Sequence, residues 1–383
     1  MLFGATGFTG RLVAARLAQR LGTNSGLRWA LAGRDGRRLI EVRDAIDPGG
    51  ALPALEVDAH DPEALAALVR RTRTVITTVG PYQLHGSDLV AACAEAGTDY
   101  LDLCGEPEWM RRMIDAHDET AKRTGARILF SCGFDSLPFE LGVLRLQNEA
   151  IRRFGAPFPR VKGRVMRLQG GLSGGTLASL NATMARAADN PEALAHLRDP
   201  FALVPGFKGP EQPRGNRVEY DADLDAWVAP FMMAAINTRN VHRSNALLGH
   251  LYGTDFVYDE MQIGGPGDAG QARAANLAAL AASPNESLKP GEGPSAEEQA
   301  AGYFDVRFIG LGAEQQRLTV AVTGDRDPGY GATSRMIVET ALCLLDSGHG
   351  LAGGCWTPGA ALGATVERAL SANAGMTCRT LGA

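Results

Sequence analysis

The sequence predicts an α/β protein with a doubly wound parallel sheet at its N-terminus and a mixed α/β second domain. Three observations predict it. Short apolar runs alternate with amphipathic helical stretches through the first third, the order that makes a parallel sheet covered on both faces. A glycine-rich loop separates the first run from the first helical stretch. Beyond residue 130 that alternation stops, and two segments near residue 310 alternate with period two.

The elements follow in order. Strands are expected at Met1–Phe3, Arg28–Leu31, Leu52–Val57, Thr74–Thr78, Tyr100–Leu103 and Arg127–Phe130. Helices between them are expected at Thr9–Leu21, where Leu12, Val13, Leu17 and Leu21 recur at helical spacing, and at Pro62–Arg71, Ser87–Ala96 and Pro107–Thr124. Right-handed crossovers wind such a chain into a doubly wound domain. Next come a punctuated loop, SCGFDSLPFELG, a helix around Phe139–Phe154, a strand at Val161–Leu168 and a helix at Leu177–Ala188. Pro205–Asn216 and Ser283–Gln299 read as surface loops. YFDVRFIG and RLTVAVTG flank a short turn as an antiparallel hairpin. Tyr330–Leu345 and Ala360–Ala372 look helical. The expected division is 1–135, 136–350, and a segment 351–383 that packs back on the first domain. Only Met1–Phe3 precede the glycine loop, where a central strand normally has about five residues. Either the first strand is short, or the native start lies upstream.

Composition sets the class. The chain has 383 residues, 45% apolar and 21% charged, ordinary globular usage at a length that suits two domains or three. Gly is 47 residues, without a collagen period, which points to tight turns and close backbone approaches. The net charge is −5, and of 38 basic residues only 4 are Lys. No basic block is long enough to follow a phosphate backbone, so nucleic acid is not an expected partner. The six cysteines form no C-x-x-C, and the seven histidines form no H-x-x-x-H pair. No metal site and no disulfide framework is expected. There is no apolar run of transmembrane length. A reduced, cytoplasmic protein is expected, with peripheral membrane contact left open.

GATGFTG places Gly4, Gly7 and Gly10 at G-x-x-G-x-x-G. The first glycine permits a sharp strand-to-helix turn, the second lets the backbone approach a pyrophosphate, and the third lets the helix pack closely. The helix N-terminus supplies unpaired N–H groups and a positive dipole end. The loop, with Thr6, Phe8 and Thr9, therefore reads as the dinucleotide cradle of a Rossmann domain. The second strand ends at Gly33-Arg34, where an NAD site would carry an acidic residue and where Arg accommodates the 2′-phosphate of NADP. NADP is thus favoured over NAD. Asp58 ends the third strand; it is either a partner for the adenine amino group or a helix cap, a role better suited to Asp61. Val79, Gly80 and Pro81, after the fourth strand, pass beside the nicotinamide half.

Taken together, FGATGFTGR, ALAGR, TTVGPY, GTDYLDLCGE, CGFDSLPFELG, LSGGT, APFMMAAINTRNVHRSNAL, DPGYGATS and TPGAALG resemble the saccharopine dehydrogenase-like oxidoreductases, in the branch of trans-acting enoyl reductases. These stretches run from residue 3 to residue 363. The resemblance implies an N-terminal NADP-binding Rossmann domain, a mixed α/β domain that carries substrate, and hydride transfer. In that branch the substrate is a carrier- or enzyme-bound unsaturated lipid chain; saccharopine enzymes proper act on an amino-acid imine. No paired basic motif for a dicarboxylate is evident, which favours the lipid-type branch.

Hydride transfer to an enoyl or imine acceptor asks for a proton donor near the nicotinamide and for charge stabilisation on the acceptor. Tyr82 follows the nicotinamide-side loop and is the first candidate, against a role as a packed aromatic. His85 is the alternative beside it. Asp135 and Ser136, in the loop after the sixth strand, are the other catalytic candidates; capping suits Ser136 better. Glu106 either orients the nicotinamide ribose or caps a helix. Ser173–Thr176 reads first as a turn with an N-cap, second as an anion-holding turn. Cys104 and Cys132 read as small buried hydrophobes. The loop Asp327–Tyr330 and Gly86 are placed to close over the site.

The leading function is an NADP-dependent oxidoreductase acting on C=C or C=N, in lipid metabolism. The alternative is a catalytically silent NADP-binding sensor or scaffold, since a fold does not set a function. Association with a membrane or a lipid synthase through Ala229–Ile236 is a third reading, set against core burial of that run. A homodimer is expected on base rates.

Overall fold

The computed structural model describes residues 1–22, 26–171, 173–282, 291–347 and 350–382. The first half is built from β1 (Leu2–Phe3), α1 (Phe8–Leu21), β2 (Leu31–Gly33), α2 (Gly36–Ile46), β3 (Ala54–Glu56), α3 (Pro62–Val69), β4 (Thr74–Thr77), α4 (Tyr82–His85), α5 (Ser87–Ala96), β5 (Asp99–Leu101), α6 (Pro107–Thr124) and β6 (Arg127–Leu129). These strands are apolar and mostly buried on both faces, as a helix-covered parallel sheet requires. β1 is only two residues long, yet it pairs on both sides, Leu2 with Leu31 and with Ile76. The terminal amino group of Met1 donates to Thr74 O at 2.9 Å.

The second half runs α7 (Leu137–Phe154), β7 (Arg160–Gln169), α8 (Gly174–Asp189), α9 (Pro191–Arg198), β8 (Glu219–Asp221), β9 (Ala226–Pro230), α10 (Ala234–Leu247), β10 (Val257–Gly265), α11 (Gly267–Ala282), α12 (Ala296–Ala301), β11 (Tyr303–Leu311), β12 (Arg317–Gly324), α13 (Thr333–Ser347), β13 (Gly354–Trp356), α14 (Pro358–Asn373) and β14 (Met376–Thr380). Two seven-stranded sheets result. The first has the order β13-β6-β5-β4-β1-β2-β3 and is parallel throughout. The second has the order β14-β12-β11-β7-β10-β9-β8; β7 and β10 are parallel and the other pairs antiparallel. One apolar core runs from α1 and one face of the first sheet through α7 and α13 to the second sheet; another fills the opposite face of the first sheet.

Several expectations shift. The second strand lies at Leu31–Gly33, not Arg28–Leu31, because Ala32 O accepts from Gly4 N and Ala5 N and Gly33 O accepts from Val57 N. The expected loop at 283–299 has its first eight residues outside the described ones, and its end is helical: Ser295 and Glu298 form a capping box for α12. The helix expected from Tyr330 opens with a π turn at Pro328–Ala332. The segment 351–383 divides between the sheets. β13 extends the first sheet beside β6, whereas β14 pairs with β12 in the second. Reading for apolar period passes over α10 and β10, since their buried faces are polar.

That polarity has internal partners. Arg164 on β7 is 2% exposed and bonds Asp221 on β8 and Asp259 on β10 through its guanidinium, at 2.8–3.0 Å. Lys162 joins the same network at Asp221 (2.8 Å). Buried charges persist only when paired in this way.

Candidate functional site

The glycine loop closes on itself. Gly4 has φ +86°, and a Cβ there would come 2.6 Å from Val79 Cγ2. Thr78 Oγ1 donates to Gly4 O at 3.1 Å, so the β4 loop is seated on the glycine turn. Gly10 faces the loop backbone, and a Cβ there would lie 2.1 Å from Gly4 O. Gly7 differs, because a Cβ would meet only Gly4 O, at 3.5 Å. It is the N-cap of α1, with no capping side chain and no acid in the first turn. The N–H groups of Phe8, Thr9 and Gly10 have no intrahelical acceptor and remain for an anion. Thr6, Phe8 and Thr9 flank this opening half-buried.

Arg34 is exposed just past β2 and makes no hydrogen bond or ion pair among the described residues. Asp58 is exposed past β3; Oδ1 accepts from His60 N at 2.9 Å. Asp61 caps α3 by accepting from Ala64 N, so capping is not Asp58's role. His60 Nε2 and His85 Nδ1 are 2.9 Å apart. Arg34 and Asp58, expected around the adenosine, thus lie at the carboxyl ends of β2 and β3, where ligands of open α/β sheets bind; His85, expected as an alternative proton donor to Tyr82, stands with them instead.

Beyond β4, Val79 lies against Gly4, Gly80 is exposed and faces Ser179 of α8, and Pro81 precedes α4. Tyr82 is buried. Its hydroxyl donates to Thr77 O at 3.4 Å and accepts from Leu103 N at 3.1 Å, and its ring packs on Trp109. Burial and the nearby Asp102 carboxylate hold its phenol well above the usual range. The structure therefore places Tyr82 as a strut between strand ends, its proton already committed. Glu106 is also fixed: its two oxygens accept from Tyr82 N and Gln83 N, at 2.9 and 2.8 Å, and cap α4. Cys104 and Cys132 are buried, and burial raises both thiols.

Asp135 sits between β6 and α7. Its half-buried carboxyl makes no hydrogen bond among the described residues, and loss of solvent pushes its pKa up to about 7. Its charge reaches Glu260 of β10 and Tyr330. Glu260 accepts from Tyr258 Oη (2.8 Å) and Asn237 Nδ2 (2.9 Å), and burial pushes it up to about 8. Ser136 occupies the N-cap of α7 but makes no side-chain cap, against expectation. Instead its Oγ accepts from Asn240 Nδ2 at 2.9 Å. Oδ1 of Asn237 and Oδ1 of Asn240 are buried without a hydrogen-bond partner among the described residues. These two amides, three residues apart on α10, and Glu260 were not singled out in sequence; the available signal was a helix too polar for an apolar stripe.

α8 closes this side. Ser173 caps it, accepting from Thr176 N, and Thr176 Oγ1 meets Tyr330 Oη at 2.8 Å. Leu172, within the expected GGLSGGT turn, is outside the described residues. Tyr330 packs edge-on against Phe8 of the glycine loop, with centroids 5.1 Å apart. Asp327 holds the Tyr330 turn by accepting from Tyr330 N and Gly331 N, and also from Gly171 N. The expected closing loop therefore touches the glycine loop. Arg186 of α8 bonds both oxygens of Glu108, at 2.9 and 3.2 Å. The run Ala229–Ile236 is built into the fold: Ala229, Phe231 and Ile236 are buried and Met233 lies against both cores.

Among the described residues no group of His, Cys, Asp or Glu could hold a metal ion, and no helix is long and apolar enough to cross a membrane. The cradle does fit a dinucleotide: Gly7 leaves space that a Cβ would fill, above a helix end with unpaired donors. Residues 1–129 match the saccharopine dehydrogenase NADP binding domain. A Mycobacterium tuberculosis protein named as a trans-acting enoyl reductase is 39% identical over 399 residues, spanning 96% of this chain and 94% of that protein. The trans-acting enoyl reductase of Mycobacterium leprae is 35% identical over 392 residues, covering 95% and 93%. Among solved structures, saccharopine dehydrogenase (L-Glu forming) of Saccharomyces cerevisiae superposes with a TM-score of 0.56 at 12% identity, over 100% of this chain and 99% of that one. Homospermidine synthase of Legionella pneumophila, in complex with NAD, gives 0.55 at 8% identity, over 100% and 90%. These two likenesses concern the fold.

Proposed function

Because the chain belongs to the trans-acting enoyl reductase family of saccharopine dehydrogenase-like, NAD(P)-dependent oxidoreductases, we propose that it reduces the C=C bond of an enoyl thioester with NADPH, on a carrier- or enzyme-bound lipid chain. Bound at the glycine loop, NADPH supplies the hydride. The chain's own residues have two remaining tasks, a proton for the carbon next to the thioester and stabilisation of charge on its oxygen.

The observation that carries the reading is Asp135. It is a carboxyl without a hydrogen-bond partner among the described residues, and its charge reaches both Tyr330, beside the glycine loop, and Glu260, on the second sheet. A pKa near 7 lets it carry a proton at neutral pH and release it. Tyr82 cannot take that part without giving up its bond to Thr77 O. Ser136 accepts from Asn240 and keeps its own proton free to donate to the thioester oxygen. Asn237 holds Glu260 in place, and Asn240 holds Ser136.

The test is NADPH oxidation with enoyl thioesters, free and carrier-bound, alongside imine acceptors. The expected result is turnover with an enoyl thioester, reduced about 10²–10⁴-fold in Asp135→Asn while NADPH still binds. Turnover of imines alone, or of no acceptor at all, would overturn the substrate assignment. A homodimer in the cytoplasm, supplied by a carrier or a lipid synthase, remains the working expectation, and light scattering of the purified chain tests the dimer.

A further inference from the structure

We infer that His60 and His85 form, with Arg34, a proton-linked binding site for the 2′-phosphate end of the cofactor, so that protons select NADPH over NADH. This inference rests on the NADPH reading. The first observation is topological. His60 follows β3 and His85 lies on α4 after β4, strands three places apart in the order β4-β1-β2-β3. Their side chains nevertheless meet, Nε2 to Nδ1 at 2.9 Å with the rings edge to face. The contact therefore bridges the carboxyl ends of β1 and β2, which carry the glycine loop and Arg34.

The second observation is the state of the pair. An N···N hydrogen bond needs one donor and one acceptor. The pair can hold one proton beyond neutrality, but not two, because two N–H groups would then face each other. Three groups act on the charge of His85. Arg34 comes from the end of β2, and Asp58 and His60 come from the loop after β3. Burial lowers the His85 pKa, His60 and Arg34 lower it further, and Asp58 opposes them. Asp58 is partly engaged with His60 N, so the free site holds an exposed Arg34, without a hydrogen-bond or ion-pair partner among the described residues, beside a His85 ring whose charged form is disfavoured.

A phosphate anion beside Arg34 reverses the balance, since a nearby negative charge favours the imidazolium. The pair then takes up one proton and presents a second cation. NADH carries only hydroxyls there and brings no such charge. By reciprocity, whatever raises the proton affinity on binding makes protons raise the binding affinity.

The experiment is calorimetric titration of the full chain with NADPH, NADH and adenosine 2′,5′-bisphosphate, between pH 6 and 8, in two buffers of different ionisation enthalpy. The expected result is net proton uptake with NADPH and with the bisphosphate. NADPH affinity should tighten by up to about tenfold per pH unit as pH falls, the limit for one linked proton, and NADH should show no such slope. His85→Gln and His60→Gln, both at solvent-accessible positions, should each abolish the uptake and the pH slope and narrow the gap between NADPH and NADH to the part that Arg34 supplies. A flat NADPH profile, or variants that keep the slope, would overturn this inference alone. NADH binding without NADPH binding would overturn the cofactor reading itself.

Discussion

Two single-methyl substitutions in the glycine loop separate folding from binding. At Gly10 an added Cβ would sit 2.1 Å from Gly4 O and 3.0 Å from the Ala5 carbonyl carbon, where ordinary contact begins at 3.4 Å. Both obstacles are backbone, so no rotamer change relieves them. Helix and loop must part by roughly 1 Å, and overpacking of this kind costs about 1–3 kcal/mol. At Gly7 the same methyl meets only Gly4 O at 3.5 Å, and the φ of −69° suits any residue. Alanine is a poorer N-cap than glycine, so the stability loss there should be about 1 kcal/mol, without the backbone clash found at Gly10. That methyl, however, occupies the space in front of the free N–H groups of α1. Gly10→Ala should therefore lower the melting temperature by several degrees and weaken NADPH binding as the loop shifts. Gly7→Ala should melt within a few degrees of the parent and lose NADPH affinity by at least about tenfold. Thermal denaturation beside calorimetric titration reads both quantities. A Gly7→Ala protein that binds NADPH like the parent would refute the assignment of the loop to the pyrophosphate.

The remaining expectations concern charge. Arg34→Ala should weaken NADPH by about 10–100-fold, the worth of a charge-assisted phosphate contact, and leave NADH within about twofold; titration with both cofactors checks it. Asp135 has its folded pKa raised above the unfolded value, so the folded state binds the extra proton between about pH 4 and 7 and loses stability as pH rises through that window. Asp135→Asn should therefore flatten the fall in stability by up to about 1.4 kcal/mol per pH unit, with its gain at pH 8 and none at pH 4, in denaturant melts at each pH. Glu106→Gln keeps one acceptor and sets an amide donor against an N–H of Tyr82 or Gln83; it should cost about 1–3 kcal/mol by the same melts. Arg164→Ala removes one cation from Asp221 and Asp259, which keep Lys162 and Arg160 respectively, and should cost about 3 kcal/mol, the low end for breaking a buried pair.

The first domain was legible because its rules are local. A glycine triad after an apolar run, and amphipathic stretches of the right length, suffice to place β1, α1 and the cradle. Helix caps were legible where Asp or Ser stands just before a Pro-led or Gly-led helix, as at Asp61 and Ser173. Ser136 misled because it has the right residue type at the right position, while a buried amide from α10, 104 residues away, claims its hydroxyl. At Tyr82 the structure shows the packed aromatic that stood beside the proton-donor reading. Its position after β4 is open to inspection in sequence, but the partners of its hydroxyl, Thr77 O and Leu103 N, depend on how β4 and β5 end.

The illegible part of the site is also its most specific part. α10 buries Asn237, Asn240, His242, Arg243, Ser244 and Asn245, a stretch with no apolar stripe for a period reading to find. Such a helix can be buried only if its polar groups meet partners contributed by distant segments: Glu260 of β10, Ser136 at the start of α7, Glu140 within α7, and the carbonyls of Leu203 and Cys355. Glu260 ties the helix to the second sheet, whereas the carbonyls of Leu203 and Cys355 tie it to segments that pack on or extend the first. The same helix that defeats a local reading is thus the element that fixes Ser136 and Glu260 around Asp135. A buried polar network of this kind adds little net stability over an apolar core, but it tolerates few alternative arrangements. Asn240→Leu, which fills the space and removes the bond to Ser136, should accordingly leave the melting temperature within a few degrees. Turnover should still fall at least tenfold with NADPH affinity unchanged. If turnover survives with Ser136 released, α10 does not position Ser136 for the reaction and serves packing alone.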